Sequence, residues 1–140
     1  MRPGPRPPLD YDPAKLAQVA RELRLRLVAL HGSRAEGRQE TDSDIDLAVL
    51  ADGEVDTDRR LQIYQCLGEV VTGAPLDISL LNGAQPTFLE IVAETGTPLY
   101  EAEENEFLRF QSLAMCKFAD AEKWQAAQRQ HLEETEEAPE

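Results

Sequence analysis

The segment from Gly32 to Asp46 holds the residues whose types and spacing best suit chemistry on a phosphate group. The pair Gly32-Ser33 is followed by ten residues and then by the tripeptide Asp44-Ile45-Asp46. Glycine permits close backbone approach to a phosphate, and Ser33 offers an amide and a hydroxyl at the start of a predicted helical turn. Arg34 adds a cation that can pair with the same phosphates. We therefore expect Gly32, Ser33 and Arg34 to bind phosphate.

Two carboxylates stand at the mouth of the second predicted strand. Asp44 and Asp46 are two residues apart, so their side chains point to one face of the strand, with backbones roughly 6–7 Å apart. Ile45 then points to the opposite face, toward the core, as do Leu47 and Val49. Hard carboxylate oxygens with no Cys or His beside them favour Mg²⁺ over Zn²⁺. The pair therefore predicts a magnesium site.

A third carboxylate, Asp77, is expected from a neighbouring strand. It is the polar residue within the apolar run Leu76-Asp77-Ile78, and a lone acid in a buried strand is costly unless it is paired or bound to metal. Three acids on adjacent strands beside a phosphate-binding loop suit metal-assisted transfer at a phosphorus atom. The simpler alternative is a solvated strand entrance, because neither Asp-x-Asp nor Gly-Ser is specific by itself.

Helices and short strands alternate along the chain, which predicts the α/β (α+β) class. The first helix follows Asp12 as N-cap and Pro13 as first helical residue. The predicted strands are Leu25–Leu30, Ile45–Leu50 and Leu76–Leu81, with a short extended piece at residues 96–100. The later predicted helices span residues 58–71, 86–93 and 103–130. The last of these helices carries an apolar stripe composed of Phe107, Phe110, Ala114, Phe118 and Ala121, with Trp124 near its end.

Both ends of the chain differ in composition from the part between them. Residues 1–11 contain four of the nine prolines, which predicts an extended, mobile arm. Residues 131–140 are rich in Glu, and we expect a disordered acidic tail there.

Charge restricts the kinds of ligand that this chain can bind. Its 140 residues carry a net charge of -13, which argues against a nucleic-acid-binding surface and hence against a template-dependent polymerase. Residues 1–38 hold eight basic and four acidic residues, whereas the remainder holds six basic and 23 acidic ones. This distribution suits an anionic ligand near the basic part and a basic partner on the acidic part, although a solvated surface with a chance asymmetry explains it equally well.

Nothing in the sequence indicates a membrane or a secreted protein. The longest apolar runs fall far short of the roughly 20 residues that span a bilayer, and residues 1–5 are not followed by the apolar stretch of a secretory signal. Cys66 and Cys116 lie far apart in the sequence, so we expect buried or half-buried thiols in a reducing compartment. The expected location is the cytoplasm.

These residues resemble the nucleotidyltransferase superfamily that includes DNA polymerase beta, and most closely its smallest branch, the minimal nucleotidyltransferase (MNT) proteins. The Gly-Ser-x(10)-Asp-x-Asp pattern is complete, and the run Leu27–Ala35 is typical of the branch. The resemblance assigns residues 12–101 to a minimal nucleotidyltransferase domain, followed by a C-terminal helix over 102–130. It implies a small mixed β-sheet flanked by helices, with the site at one edge.

The resemblance also implies a role for each candidate residue. Gly32 and Ser33, with Arg34, would hold the triphosphate of ATP. Asp44 and Asp46 would bind two Mg²⁺ ions, while Asp77 would share one ion and help to activate the attacking hydroxyl. The implied reaction is in-line attack on the α-phosphorus of ATP with pyrophosphate as the leaving group.

MNT proteins are antitoxins paired with HEPN-domain RNase toxins, and members of the branch transfer AMP from ATP to a tyrosine of the toxin. The resemblance therefore implies a protein adenylyltransferase that forms a hetero-oligomer with a HEPN toxin. Two alternatives stay open. One is a small-molecule nucleotidyltransferase of the aminoglycoside-modifying kind, which usually carries a further helical domain. The other is a non-catalytic antitoxin that acts by occlusion.

Overall fold

Four helices and four strands are formed by residues 10–32 and 44–137, the part of the chain that the computed structural model describes. In chain order they are α1 (Pro13–Glu22), β1 (Leu25–His31), β2 (Ile45–Ala51), α2 (Thr57–Val70), β3 (Leu76–Leu80), α3 (Pro86–Thr95), β4 (Thr97–Glu101) and α4 (Glu106–Glu137). The start of α1 is as predicted, because the Asp12 carboxylate accepts a hydrogen bond from the Ala14 amide at 3.0 Å and Pro13 follows the cap.

The strands form one mixed sheet in the order β3-β2-β1-β4. β1 pairs antiparallel with β2 and with β4, whereas β2 and β3 are parallel. The parallel pair needs a long crossover, which α2 supplies. The α/β (α+β) class and the small mixed sheet flanked by helices are therefore confirmed.

Each face of the sheet is covered by a different pair of helices. Alternate residues of β2, namely Ile45, Leu47 and Val49, are fully buried in one cluster with residues of α1 and α2. This confirms the core-facing side predicted for these three residues. Ala48 lies in a second cluster, which holds α3 and the first turns of α4. Along β2, therefore, even-numbered residues face α3 and α4.

The long C-terminal helix differs most from its predicted bounds. It begins at Glu106 rather than at residue 103 and continues to Glu137, through most of the segment 131–140 that was expected to be disordered. Ala, Gln and Glu are good helix formers, and no Gly or Pro interrupts the sequence before Pro139. Acidic composition alone therefore gave the wrong boundary. Among the described helices, none combines the length and the apolar character needed to cross a bilayer.

Arg59 of α2 ties two loops together at the end of the sheet where β2 finishes and β1 begins. Its Nη1 donates to the carbonyl oxygens of Asp52 and Glu54 at 2.7 and 2.6 Å. Its Nη2 donates to the carbonyl oxygens of Leu23 and Arg24 at 3.2 and 3.3 Å. One planar guanidinium thus satisfies four backbone acceptors from two loops.

Replacement of Arg59 by Ala is expected to lower the free energy of unfolding by about 1–3 kcal/mol, because four carbonyl groups lose a charged donor. Arg60→Ala is the matched control, since Arg60 is exposed on the same helix and a surface substitution costs less than about 0.5 kcal/mol. Urea unfolding of the two variants measures the difference. Equal midpoints would show that the Arg59 contacts add no stability.

Candidate active site

Strand register places Asp46 between His31 and Asp77. Asp46 is the parallel partner of Asp77 and the antiparallel partner of His31, and neighbouring strands lie about 4.8 Å apart. Asp46 and Ala48 are two residues apart on β2, so both lie on the face of the sheet that α3 covers. His31 and Asp77 pair directly with Asp46 and therefore share that face. The predicted juxtaposition of Asp46 and Asp77 on adjacent strands is thus present in the fold.

Gly32 stands directly against the carboxylate of Asp46. A Cβ atom at Gly32 would lie 2.6 Å from Asp46 Oδ2, which is closer than any side chain tolerates. The backbone of Gly32 has φ of +79°, in the left-handed region that favours glycine. The glycine therefore leaves room for the Asp46 carboxylate, and the predicted approach of a phosphate to its backbone stays a prediction.

The three candidate acids differ in exposure. Asp46 is half-buried, whereas Asp44 and Asp77 are exposed. The sequence argument that Asp77 is an acid in a buried strand is wrong, because β3 is an edge strand of the sheet. Its exposure leaves the carboxylate accessible from outside, beside the half-buried Asp46.

His31, which the sequence analysis does not assign to the site, lies beside Asp46 in the sheet. Burial lowers the pKa of its imidazole below the ordinary 6.5, and the negative charges of Asp46 and Asp77 oppose that shift. The ring packs edge-on against Phe88 with centroids 5.4 Å apart, and its buried Nε2 has no hydrogen-bond partner among the described residues. Burial thus favours the neutral form of the imidazole. The signal in the sequence was a polar residue ending an apolar strand next to Gly32.

The donor set of this site suits magnesium. Within residues 10–32 and 44–137, no group of three Asp, Glu, His or Cys side chains is arranged to hold a metal ion. Mg²⁺ usually binds through one or two carboxylates together with waters and substrate phosphates, and Asp46 and Asp77 supply two such carboxylates side by side. Ser33 and Arg34, the other predicted phosphate contacts, lie outside the described residues. A cation held at this edge could bind a phosphate placed over Gly32.

Comparison with known proteins gives a family and close relatives. The family described as "Polymerase beta, Nucleotidyltransferase" matches residues 14–105. A protein adenylyltransferase MntA from Aphanizomenon flos-aquae is 30% identical over 123 residues, which cover 78% of this chain and 79% of the relative.

Solved structures with the same fold include toxin–antitoxin complexes. One chain of a toxin–antitoxin crystal structure with AMP-PNP is 25% identical, with a TM-score of 0.65, and the likeness covers 91% of this chain and 99% of that chain. A second structure holds a tri-AMPylated Shewanella oneidensis HEPN toxin in complex with its MNT antitoxin. There the likeness has a TM-score of 0.57 at 23% identity and covers 90% of this chain and 96% of the matched chain. At that identity the likeness concerns the fold.

Proposed function

This chain belongs to the polymerase beta nucleotidyltransferase family, and from that membership we propose that it is an antitoxin that adenylylates its toxin. It transfers AMP from ATP to a tyrosine of a cognate HEPN RNase and thereby inactivates that enzyme. The observation that carries this proposal is the register pair of Asp46 and Asp77, with Gly32 packed against the first carboxylate.

Each residue of the site has a defined role in this proposal, and Asp77 has two. Gly32 contacts the triphosphate through its backbone, and Ser33 and Arg34 follow it in sequence as further phosphate contacts. Asp46 and Asp77, paired across β2 and β3, would hold Mg²⁺ together with phosphate oxygens. Asp44, two residues before Asp46, would add a third carboxylate for the two ions that the family resemblance implies. Bound Mg²⁺ neutralises phosphate charge and lowers the pKa of a nearby hydroxyl.

The exposed edge position of Asp77 suits an acceptor hydroxyl carried by another protein. A tyrosine hydroxyl has an ordinary pKa near 10, so it must lose its proton as it attacks the α-phosphorus. Asp77 lies on the edge strand β3 and is exposed, so a folded partner can bring its tyrosine within reach of this carboxylate. We assign Asp77 the role of general base. Pyrophosphate leaves as the bond between the tyrosine oxygen and the α-phosphorus forms.

The relatives support a protein acceptor and a HEPN partner. The 30% identical relative is a protein adenylyltransferase, and structures of the same fold occur in a toxin–antitoxin complex with AMP-PNP and beside a tri-AMPylated HEPN toxin.

ATP as substrate and the free, exposed thiol of Cys116 agree with a cytoplasmic location. This exposure corrects the prediction that both thiols are at least half-buried; Cys66 is half-buried as expected.

Mass spectrometry of the partner tests the proposal. Incubation of the chain with ATP, Mg²⁺ and its cognate HEPN protein is expected to add about 329 Da per AMP unit to a partner tyrosine, while RNase activity falls in parallel. A partner that is silenced without any change in mass would show instead that the chain is an occluding antitoxin. Transfer of AMP to an aminoglycoside but not to the HEPN protein would support the small-molecule alternative.

A further inference from the structure

The second half of α4 extends beyond the body of the domain. Phe110 and Ala114 are 3% and 0% exposed, whereas every residue from Glu122 to Glu133 is exposed. At 1.5 Å per residue, the 16 residues after Ala121 extend the helix by about 24 Å. Most helical stability in proteins comes from packing of an apolar face, so a partner that covers this part of α4 would stabilise it.

An apolar surface continues from the domain body onto this extension. Leu113 and Trp124, 48% and 62% exposed, line a groove of about 620 Å³ between α4 and the segment 81–86. Trp124 also lines a second hollow of about 340 Å³ with Ala127 and Leu132, and Leu132 is 59% exposed. Since Trp124 belongs to both hollows, they form one surface, which we call the α4 surface. Exposed Trp side chains in such settings are typical binding anchors.

The α4 surface lies on the same side of the sheet as the site carboxylates. Leu50 lines the groove and packs on the cluster that faces α3 and α4. Asp46 has the same parity as Leu50 along β2 and lies four residues away, roughly 13 Å by strand geometry. The end of the α4 surface at Leu50 is therefore about 13 Å from Asp46 along β2, a span that a folded protein seated there can cover.

The negative charge around the α4 surface indicates which kind of protein can bind there. Residues 119–137 hold six acidic and two basic residues, and the whole chain carries a net charge of -13. A second copy would bring the same negative charge and be repelled. An RNase must instead carry basic residues to bind RNA phosphates.

From these observations we propose that the α4 surface is the docking site for the HEPN toxin, with Trp124 and Leu132 as apolar anchors among acidic residues. The proposal rests on the function proposed above, since it names where the partner of that reaction binds. The toxin face that fits it has an apolar centre and a basic rim. Docking there holds the acceptor tyrosine near the edge strand that carries Asp77.

Trp124 is the only tryptophan in the chain, which allows a direct test. Chain labelled with 5-fluorotryptophan gives one ¹⁹F resonance, and addition of unlabelled cognate HEPN toxin is expected to shift it and to remove its H₂O/D₂O dependence as the ring becomes buried. Trp124→Ala and Leu132→Ala are each expected to weaken toxin binding about 30-fold or more. Leu61→Ala is the matched control, because Leu61 is 54% exposed on α2, on the other face of the sheet, and toxin affinity should stay within about 3-fold.

Two results would overturn the docking site. One is toxin binding that leaves the ¹⁹F resonance and the affinities of both variants unchanged. The other is a Trp124 ring already buried without toxin in a chain that sediments as a dimer, which would assign the surface to self-association. A different result would contradict the proposed function and leave the docking site standing. In that case the ¹⁹F resonance shifts on toxin binding, yet the toxin gains no AMP from ATP.

Discussion

Replacement of Asp46 by Asn is expected to lower the rate of AMP transfer to the toxin about 10³-fold, with a similar loss for Asp77→Asn. Each change removes a full negative charge from the pair proposed to hold the cation, and loss of one group that stabilises transition-state charge typically costs 10²- to 10³-fold in rate. Single-turnover transfer of AMP at saturating ATP and toxin measures the effect.

Urea unfolding of the same variants distinguishes a loss of catalysis from damage to the fold. Asp46 and Asp77 are cross-strand neighbours, and like charges placed opposite each other destabilise a sheet. Without metal, each Asn variant should therefore unfold at a urea concentration equal to or above that of the wild type. Asp52→Asn is the control for charge, because Asp52 follows the other end of the same strand and is exposed. If Asp46→Asn transferred AMP at the Asp52→Asn rate, the site would lie elsewhere.

The secondary structure and the adjacency of Asp46 and Asp77 follow from local sequence signals. Asp12 and Pro13 mark the start of α1, and apolar runs mark three of the strands within one or two residues of their bounds. The prediction that Asp46 and Asp77 lie on adjacent strands needed only that β2 and β3 be neighbours, which a single crossover helix favours. Local patterns were sufficient here because both acids lie near the starts of parallel strands.

The remaining features depend on contacts between residues far apart in sequence. Asp77 is exposed because β3 lies at the edge of the sheet. The order of the strands depends on how strands and helices pack together, which cannot be read from the sequence of one strand. His31 lies beside Asp46 through strand pairing and contacts Phe88. A polar residue before Gly32 is visible in the sequence, but its neighbours in the sheet depend on pairing between strands. The continuation of α4 to Glu137 follows from helix propensity, which the acidic composition of this segment obscures.

Replacement of Gly32 by Ala is expected to lower AMP transfer about 10²-fold, an effect of the size seen when catalytic groups are displaced by about 1 Å. The new Cβ would lie 2.6 Å from Asp46 Oδ2, so the carboxylate must rotate away from its place beside Asp77. The left-handed backbone, with φ of +79°, adds a cost of about 1–2 kcal/mol to the folded state. Rates of AMP transfer and urea unfolding measure the two effects separately.

Gly53→Ala provides the control that isolates the site effect from backbone strain. Gly53 has φ of +80°, and a Cβ there would meet only Arg59 Nη1, at an ordinary contact distance of 3.9 Å. Both variants should therefore lose a similar free energy of unfolding, because both place an L-residue in the left-handed region. Only Gly32→Ala should also lose AMP transfer, since only its Cβ displaces a carboxylate of the site. Equal transfer rates in the two variants would mean that Asp46 tolerates the displacement and that its position against Gly32 is not required for the reaction.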